Sequence, residues 1–357
     1  MLRGMLGDGN REGCAGEITR KRRSASQLAM LRHFETARRG TRLSLAGHLI
    51  AGLSVFLLFL PAHHFPVDEM SASYQVGGSR IDIEVAHPDS LNVSHQDLMD
   101  WVHWASDSVA KYYGRYPVPH VALQIIATDG RGVRGGKTFG ENDGGSIRIH
   151  VGSETTKAGL AADWMLTHEM VHLGFPSMPD EHHWIEEGIA TYVEPIARVR
   201  AGHLDVHQMW FEVVRDLHQG LPESGDKGLD HTHTWARTYW GGALFCFLAD
   251  VEIHKQTNNR KGFDDALRAI LNAGGDIRHD WNLADALRIG DQATGVPVLI
   301  PLYDKMKDQP YDVDLDAMWK DLGLERTGNT VSFHDAAPLA KVRDAITYGE
   351  SQPLPIP

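Results

Sequence analysis

Cysteine is almost absent from this chain. Only two of its 357 residues are cysteines, Cys14 in a basic head and Cys246 in the apolar run ALFCFLAD. The chain after residue 65 has a single cysteine and cannot form an internal disulfide, which excludes a fold stabilised by disulfides there. We expect Cys246 to pack as a small hydrophobic residue.

Positive charge is scarce outside the first 42 residues. That head carries ten Lys and Arg residues against four acids, a net charge of +6. Because the whole chain has a formal net charge of −12, the remainder carries −18. Such an acidic body argues against nucleic acid as a partner.

A long apolar run, LSLAGHLIAGLSVFLLFLPA at residues 43–62, follows the basic head. A positive flank before an apolar run is the form of a secretory signal peptide or of an uncleaved membrane anchor. Both alternatives stay open, because the run is of borderline length for a membrane span. In either case we expect residues 1–65 to place the rest of the chain outside the cytoplasm, in the periplasm or the extracellular space or anchored to a membrane through this segment alone.

Two kinds of pattern divide the chain after residue 65. Residues 66–158 contain a helix that begins at Ser94, a glycine-rich loop at 130–145, and alternating stretches typical of strands at 79–88, 120–129 and 146–152. Residues 159–345 have helical periodicity, which predicts helices at 159–174, 183–202, 206–218, 235–256, 262–273, 281–289 and 313–321. We therefore predict an α+β fold, with a small mixed sheet lobe, then a mainly helical lobe, and a loose proline-rich tail at 346–357.

The junction of these lobes carries a metal-binding pattern, WMLTHEMVH at residues 164–172. His168 and His172 are four residues apart, so on a helix they share one face and can offer two imidazole nitrogens to one ion. Glu169 lies about 100° round the helix from His168 and can reach a metal-bound water without being a ligand. The helix is otherwise apolar, and burying these polar groups without a partner would be costly.

A catalytic zinc needs a third protein ligand and an open position for water. The next predicted helix begins with WIEEGIATYVE at residues 184–194, after a loop long enough to reverse the chain. Either Glu186 or Glu187 could thus face the two histidines. The sequence predicts a Zn²⁺ site made of His168, His172 and one of these glutamates.

Together these segments resemble the gluzincin metallopeptidases, in particular the aminopeptidase N-like and glycyl aminopeptidase-like families. The resemblance covers roughly residues 145–275 and implies a thermolysin-like zinc peptidase catalytic domain. In those families the glutamate directly before the glycine is the third zinc ligand, which implies Glu187. The segment RTYWGGA at 237–243 is similar to their Y-x-K-G-A helix, whose tyrosine hydrogen-bonds the developing oxyanion; this implies that role for Tyr239, although Gly241 stands where lysine is usual.

The amine-binding loop of the aminopeptidase N-like enzymes, G-x-M-E-N, has only the short counterpart GEN at residues 140–142. Glu141 is then the candidate acid for holding a free ammonium group. Analogy with these families favours exopeptidase action. We also expect the strand at 146–152 to run along the cleft and to pair with extended substrate backbone.

Further polar side chains near these motifs are candidates for supporting roles. His231 or His233 could steady the oxyanion in addition to Tyr239. His182 and His183 directly precede the second helix and could ligate, but with Glu187 available we expect them to be surface groups or to support the zinc ligands. Thr191 or Glu194 could orient a zinc histidine.

The function predicted from these residues is that of a zinc metallopeptidase acting on a peptide or protein substrate. Glu169 would serve as general base for a zinc-activated water, and Tyr239 would stabilise the oxyanion. Two alternatives remain: a catalytically silent envelope protein that keeps the zinc fold for binding or assembly, and a zinc hydrolase of a non-peptide bond. The intact Glu169 argues against the silent protein, which has no need of a base.

Overall fold

This computed structural model describes residues 69–349. The described chain begins with strands that form a five-stranded mixed sheet. The strands lie in the order β1-β2-β3-β5-β4, so that β1 and β4 are the two edges. The three inner strands are parallel, and each edge strand is antiparallel to its neighbour. Their bounds are β1 Glu69–Val76, β2 Ser79–Ala86, β3 His120–Thr128, β4 Val133–Glu141 and β5 Gly144–Gly152.

Helices make up most of the remaining described chain. A short hairpin, β6 (Leu324–Thr327) and β7 (Thr330–Phe333), interrupts them near the end, and a π-helical stretch, Arg237–Gly241, leads directly into the helix that begins at Gly242. The predicted order of a mixed sheet followed by a mainly helical region is therefore confirmed. The α-helices are α1 His95–Tyr113, α2 Lys157–Ala161, α3 Met165–His172, α4 His183–Ala201, α5 Val206–Asp216, α6 Gly242–Thr257, α7 Phe263–Asn272, α8 Leu283–Thr294, α9 Leu299–Met306, α10 Leu315–Asp321 and α11 Ala340–Tyr348.

The inner strands bury every second side chain. This period of two is the one that places alternate residues on one face of a sheet. Each fully buried Val, Leu or Ile side chain contributes about 1.5–3 kcal/mol. The buried side chains of β2, β3 and β5 therefore form a rigid apolar face of the sheet. They are Ile81, Ile83, Val85, Val121, Leu123, Ile125, Ile147, Ile149 and Val151.

The edge strand β4 occupies a segment for which the sequence predicts a glycine-rich loop, so that prediction is wrong over Val133–Glu141. Three glycines lower the intrinsic preference of this segment for a strand. Backbone pairing with β5, in register from Gly135↔His150 to Glu141↔Gly144, stabilises the strand even though its composition does not predict one. The expectation that the strand at 146–152 pairs with extended substrate backbone is also wrong, because β5 is already paired with β3 on one side and β4 on the other.

The helical region differs from the prediction in further places. Two helices, α9 and α11, are not among those that the sequence predicts, and α11 runs to Tyr348, into the loose tail predicted at 346–357. The single helix expected at 159–174 is two helices, α2 and α3, which meet around Asp163. The hairpin β6–β7 was not predicted at all. Its two-residue turn uses Gly328 with φ 59°, a conformation that glycine adopts without strain.

The predicted signal or anchor at residues 43–62 lies outside the described residues. Among residues 69–349, none of the helices has both the length and the apolar character needed to cross a membrane. Cys246 is fully buried in α6, as expected of a small hydrophobic residue.

Candidate metal centre and catalytic site

The helix that carries the H-E-x-x-H motif, α3, is anchored at its N-terminus by Asp163. This carboxylate accepts hydrogen bonds from the backbone N–H groups of Met165 and Leu166, both at 3.1 Å, and from the indole of Trp101 on α1 at 3.0 Å. An acid at this position satisfies amides that have no partner inside the helix. The helix packs against α1, α4 and β4, and this packing fixes the direction of its motif side chains.

Three side chains converge between α3 and α4: His168, His172 and Glu187. The Nε2 atoms of His168 and His172 lie 3.2 and 3.6 Å from Oε2 of Glu187. One ligand atom from each residue lies within 4.8 Å of the other two. Ligand atoms bound about 2.0–2.1 Å from a tetrahedral zinc would be roughly 3.3 Å apart, close to the observed spacing. This donor set therefore fits zinc.

Of the two glutamates at the start of α4, Glu187 faces the histidine pair. Glu186 accepts a hydrogen bond from the backbone N–H of Met178 at 3.3 Å and lies 3.1 Å from Nδ1 of His183. Consecutive helical residues point about 100° apart, so only one of the two can face α3. Glu187, rather than Glu186, is therefore the side chain that lies at the two histidines.

The start of α4 is held in place by a buried polar network. The indole of Trp184 donates a hydrogen bond to Oδ1 of Asp230 at 2.8 Å, and the hydroxyl of Tyr303 donates to Oδ2 of the same residue at 2.7 Å. One residue after Glu187, the backbone of Gly188 touches that of Gly242, so tightly that a Cβ on either glycine would collide with the other helix. This close crossing brings α4 and α6 together beside His168, His172 and Glu187.

Neighbouring charges favour the ionised form of Glu187. Burial alone would raise its pKa, but the imidazoles of His172, His168 and His183 hold the pKa well below its ordinary value. Hydrogen bonds to Glu186 and Glu187 raise the pKa of His183 to about 10. His183 Nε2 lies 3.3 Å from Oε1 of Glu187, whereas His168 and His172 approach the other carboxylate oxygen, Oε2. The carboxylate of Glu187 is therefore ionised and able to bind a cation.

The other ring nitrogen of His168, Nδ1, is buried and has no hydrogen-bond partner among residues 69–349. Zinc-binding histidines usually donate this N–H to a carboxylate or carbonyl. Neither Thr191 nor Glu194 provides that contact, contrary to the role considered for them from the sequence. Glu194 instead accepts a hydrogen bond from Arg198 at 2.9 Å, and burial raises the pKa of Glu194 to about 7.

Glu169 lies against the edge strand β4. Its Oε2 is 2.7 Å from the hydroxyl of Thr138, which also lies 2.9 Å from the backbone carbonyl oxygen of Glu169. Gly136 is two residues earlier on the strand, and a Cβ at that position would be 2.5 Å from Cγ of Glu169. Neither contact could be predicted from the sequence, because both join α3 to a segment expected to be a loop.

Tyr239 lies in the π-helical stretch, beside the cluster of His168, His172 and Glu187. Its ring stacks on His168, with centroids 6.2 Å apart, and on Trp235 at 5.7 Å. Burial first, and then the carboxylates of Glu187 and Glu169, raise the pKa of Tyr239 far above its ordinary value. The phenol is therefore protonated at neutral pH and can donate a hydrogen bond. π-Helical turns often occur at functional sites.

Arg237 gives a physical reason for glycine at position 241, where the sequence departs from the motif it resembles. Its buried guanidinium pairs with Asp226 at 2.7 Å and contacts the carbonyl of Gly220. A Cβ on Gly241 would lie 3.2 Å from Nη1 of Arg237 and 3.0 Å from Leu229. A lysine at this position would push against a buried ion pair.

Two other predicted site residues lie elsewhere. Glu141 is exposed at the end of β4 and accepts a hydrogen bond from the hydroxyl of Ser146 at 2.9 Å. Because strand residues alternate between faces, it points away from the side on which Thr138 meets α3. His231 is exposed and pairs with Asp308 at 2.8 Å. The structure does not bring either side chain to the triad.

Two solved structures are similar to this chain. An aminopeptidase N family protein from Idiomarina loihiensis matches with a TM-score of 0.55 and 10% sequence identity, over 72% of this chain and 49% of that one. An M1 zinc metallopeptidase from Deinococcus radiodurans matches with a TM-score of 0.46 and 14% identity, over 70% of this chain and 53% of that one. No family model and no curated protein matches the sequence.

The first of these likenesses shows the fold. This chain has the fold of the matching part of the aminopeptidase N family protein, and it spans about half of that protein's length. Within this fold, a mixed sheet is followed by helices, and a His-His-Glu cluster lies between α3 and α4.

Glu187→Ala is expected to lose most of the bound metal, whereas the purified wild type should contain about one zinc per chain. The substitution removes the carboxylate whose Oε2 approaches both histidines. Glu186→Ala is the matched control, since it removes the adjacent acid that faces His183, and it should keep its zinc. Metal analysis after gel filtration measures both. Full zinc in Glu187→Ala together with zinc loss in Glu186→Ala or His183→Ala would contradict the assignment of the third ligand.

Proposed function

We propose that the protein is a zinc-dependent metallopeptidase of the gluzincin type, with a thermolysin-like catalytic domain. The observation that carries this proposal is the convergence of His168, His172 and Glu187, with Glu169 and Tyr239 beside them. The fold shared with an aminopeptidase N family protein supports it.

The chemistry divides among five side chains. His168 and His172 would hold zinc through Nε2, and Glu187 would hold it through Oε2. When bound, zinc lowers the pKa of a coordinated water towards neutrality and polarises the carbonyl group of a substrate. Glu169 accepts the proton of the attacking water and returns it to the leaving amine. Tyr239 donates a hydrogen bond to the carbonyl oxygen as negative charge develops there.

We propose more specifically that the protein is an aminopeptidase, and this part of the proposal rests on similarity of fold alone. Glu141 does not support it, because it is exposed and on the other face of β4. We further propose that the catalytic domain lies outside the cytoplasm, on the basis of the basic head and the apolar run at residues 43–62.

A peptide-library digestion tests the activity. The wild-type protein is expected to cleave peptides, and a zinc chelator should abolish the cleavage. N-acetylated copies of the cleaved peptides decide the finer point, since an aminopeptidase needs the free amine. Cleavage of acetylated peptides at an undiminished rate would rule out the aminopeptidase form. Absence of any cleavage by zinc-loaded wild type would instead favour a silent binding protein or a hydrolase of another bond.

A further inference from the structure

We propose that Thr138 is a positioning residue for the general base, and that Gly136 makes the room this positioning requires. Both lie on the edge strand β4, two residues apart and on the same face. The inference rests on the proposed function, because it assigns Thr138 to the orientation of Glu169. It adds to the proposed site two residues, Gly136 and Thr138, that belong neither to the H-E-x-x-H motif nor to the proposed metal ligands.

Among residues 69–349, the hydroxyl of Thr138 has two acceptors within reach, and both belong to Glu169. The carboxylate Oε2 is 2.7 Å away and the backbone carbonyl oxygen is 2.9 Å away. A hydroxyl has one hydrogen to donate, and a hydrogen bond to an ionised carboxylate is shorter and stronger than one to a neutral carbonyl. The bond to Oε2 therefore fixes the carboxylate of Glu169 and leaves Oε1 to accept the proton.

Gly136 lies against the same carboxylate. A Cβ on this residue would be 2.7 Å from Oε1 and 2.8 Å from Cδ of Glu169, closer than atoms that are not bonded normally approach. Any side chain at position 136 would displace the base or the strand. Glycine at position 136 therefore leaves room for the Glu169 carboxylate in the orientation that the hydrogen bond from Thr138 fixes.

The strand itself is well placed to hold these two residues. Gly136 and Thr138 pair with Ile149 and Ile147 on the inner strand β5, and both isoleucines are fully buried. Functional groups are positioned more accurately by a packed strand than by a loop. On the opposite face of β4, Lys137 is exposed and its ammonium lies 5.1 Å from the ring of Phe139, so it offers a control on the same strand.

Thr138→Val in the full-length, zinc-loaded protein tests the role. Valine keeps the shape and removes the donor, and kcat for a cleaved peptide is expected to fall about 10- to 100-fold, the usual loss for a hydrogen bond to a charged group. KM should change by less than about threefold, and zinc content and melting temperature should stay near wild type. Thr138→Ser restores the donor and should recover kcat to within about threefold. Lys137→Ala should stay within about twofold of wild type.

A double-mutant cycle separates positioning from a general effect on the strand. If Thr138 acts through Glu169, Thr138→Val should cost nothing further in a Glu169→Gln background. Gly136→Ala provides an independent variant, in which kcat should fall at least as far as in Thr138→Val. Normal kcat in Thr138→Val, failure of serine to rescue, or equal losses in both backgrounds would overturn the role of Thr138. A zinc-loaded wild type that cleaves no peptide would remove the proposed function, and this inference with it.

Discussion

Glu169→Gln is expected to keep its zinc and its fold but to hydrolyse peptides at least about 100-fold more slowly than wild type. A general base contributes about 10²–10⁴-fold to a rate, and glutamine cannot take up a proton at neutral pH. Glutamine has nearly the shape of glutamate and can still accept the hydrogen bond from Thr138 through its amide oxygen. The loss should therefore appear in kcat, with little change in KM.

The controls for this variant are metal content, melting temperature and a second Glu→Gln change. Glu154 is an exposed acid paired with Arg131, and Glu154→Gln should leave peptide hydrolysis unchanged. A Glu169→Gln variant that turns over like wild type would show that another group is the base. Equal loss of zinc and activity would show instead that the substitution had damaged the metal site.

Tyr239→Phe is expected to lose about 2.7–4 kcal/mol of transition-state stabilisation, a fall of about 10²–10³-fold in kcat. The substitution removes only the hydroxyl and keeps the ring that stacks on His168 and Trp235. Zinc content and melting temperature should hardly change. Steady-state kinetics of the two proteins measure the effect.

Packing is the competing role for this tyrosine, and it predicts a different outcome. A residue that only fills space would tolerate Tyr239→Phe with near-normal turnover. Tyr311→Phe, which changes a half-buried tyrosine before α10, controls for the loss of a hydroxyl as such. Normal turnover in Tyr239→Phe would leave the oxyanion role to another donor, with His233 the remaining candidate from the sequence, because His231 pairs with Asp308.

The part of the site that could be predicted from the sequence is the part that depends on local geometry. A spacing of four on a helix brings His168 and His172 to one face whatever the tertiary structure is. The choice between Glu186 and Glu187 needed more than spacing, since both stand at the start of α4. Family resemblance implied Glu187, and the packing of α4 against α3 and α6 places that side chain at the histidines.

The edge strand and its contacts could not be predicted in the same way. Three glycines make residues 133–141 a poor strand by composition, and the strand forms because β5 pairs with it. Thr138 and Glu169 are 31 residues apart, and no short pattern links them. Glu141 was assigned from a motif fragment, but alternation along β4 turns it to the opposite face from Thr138.

The most direct measurement follows peptide cleavage by the full-length protein while zinc is removed and returned. Cleavage should disappear when a chelator strips the metal, and it should return in proportion to added zinc until about one equivalent is bound. Glu187→Ala should stay inactive at the same zinc concentration. Peptide cleavage that persists in the metal-free protein, or that returns equally in Glu187→Ala, would contradict a catalytic zinc held by His168, His172 and Glu187.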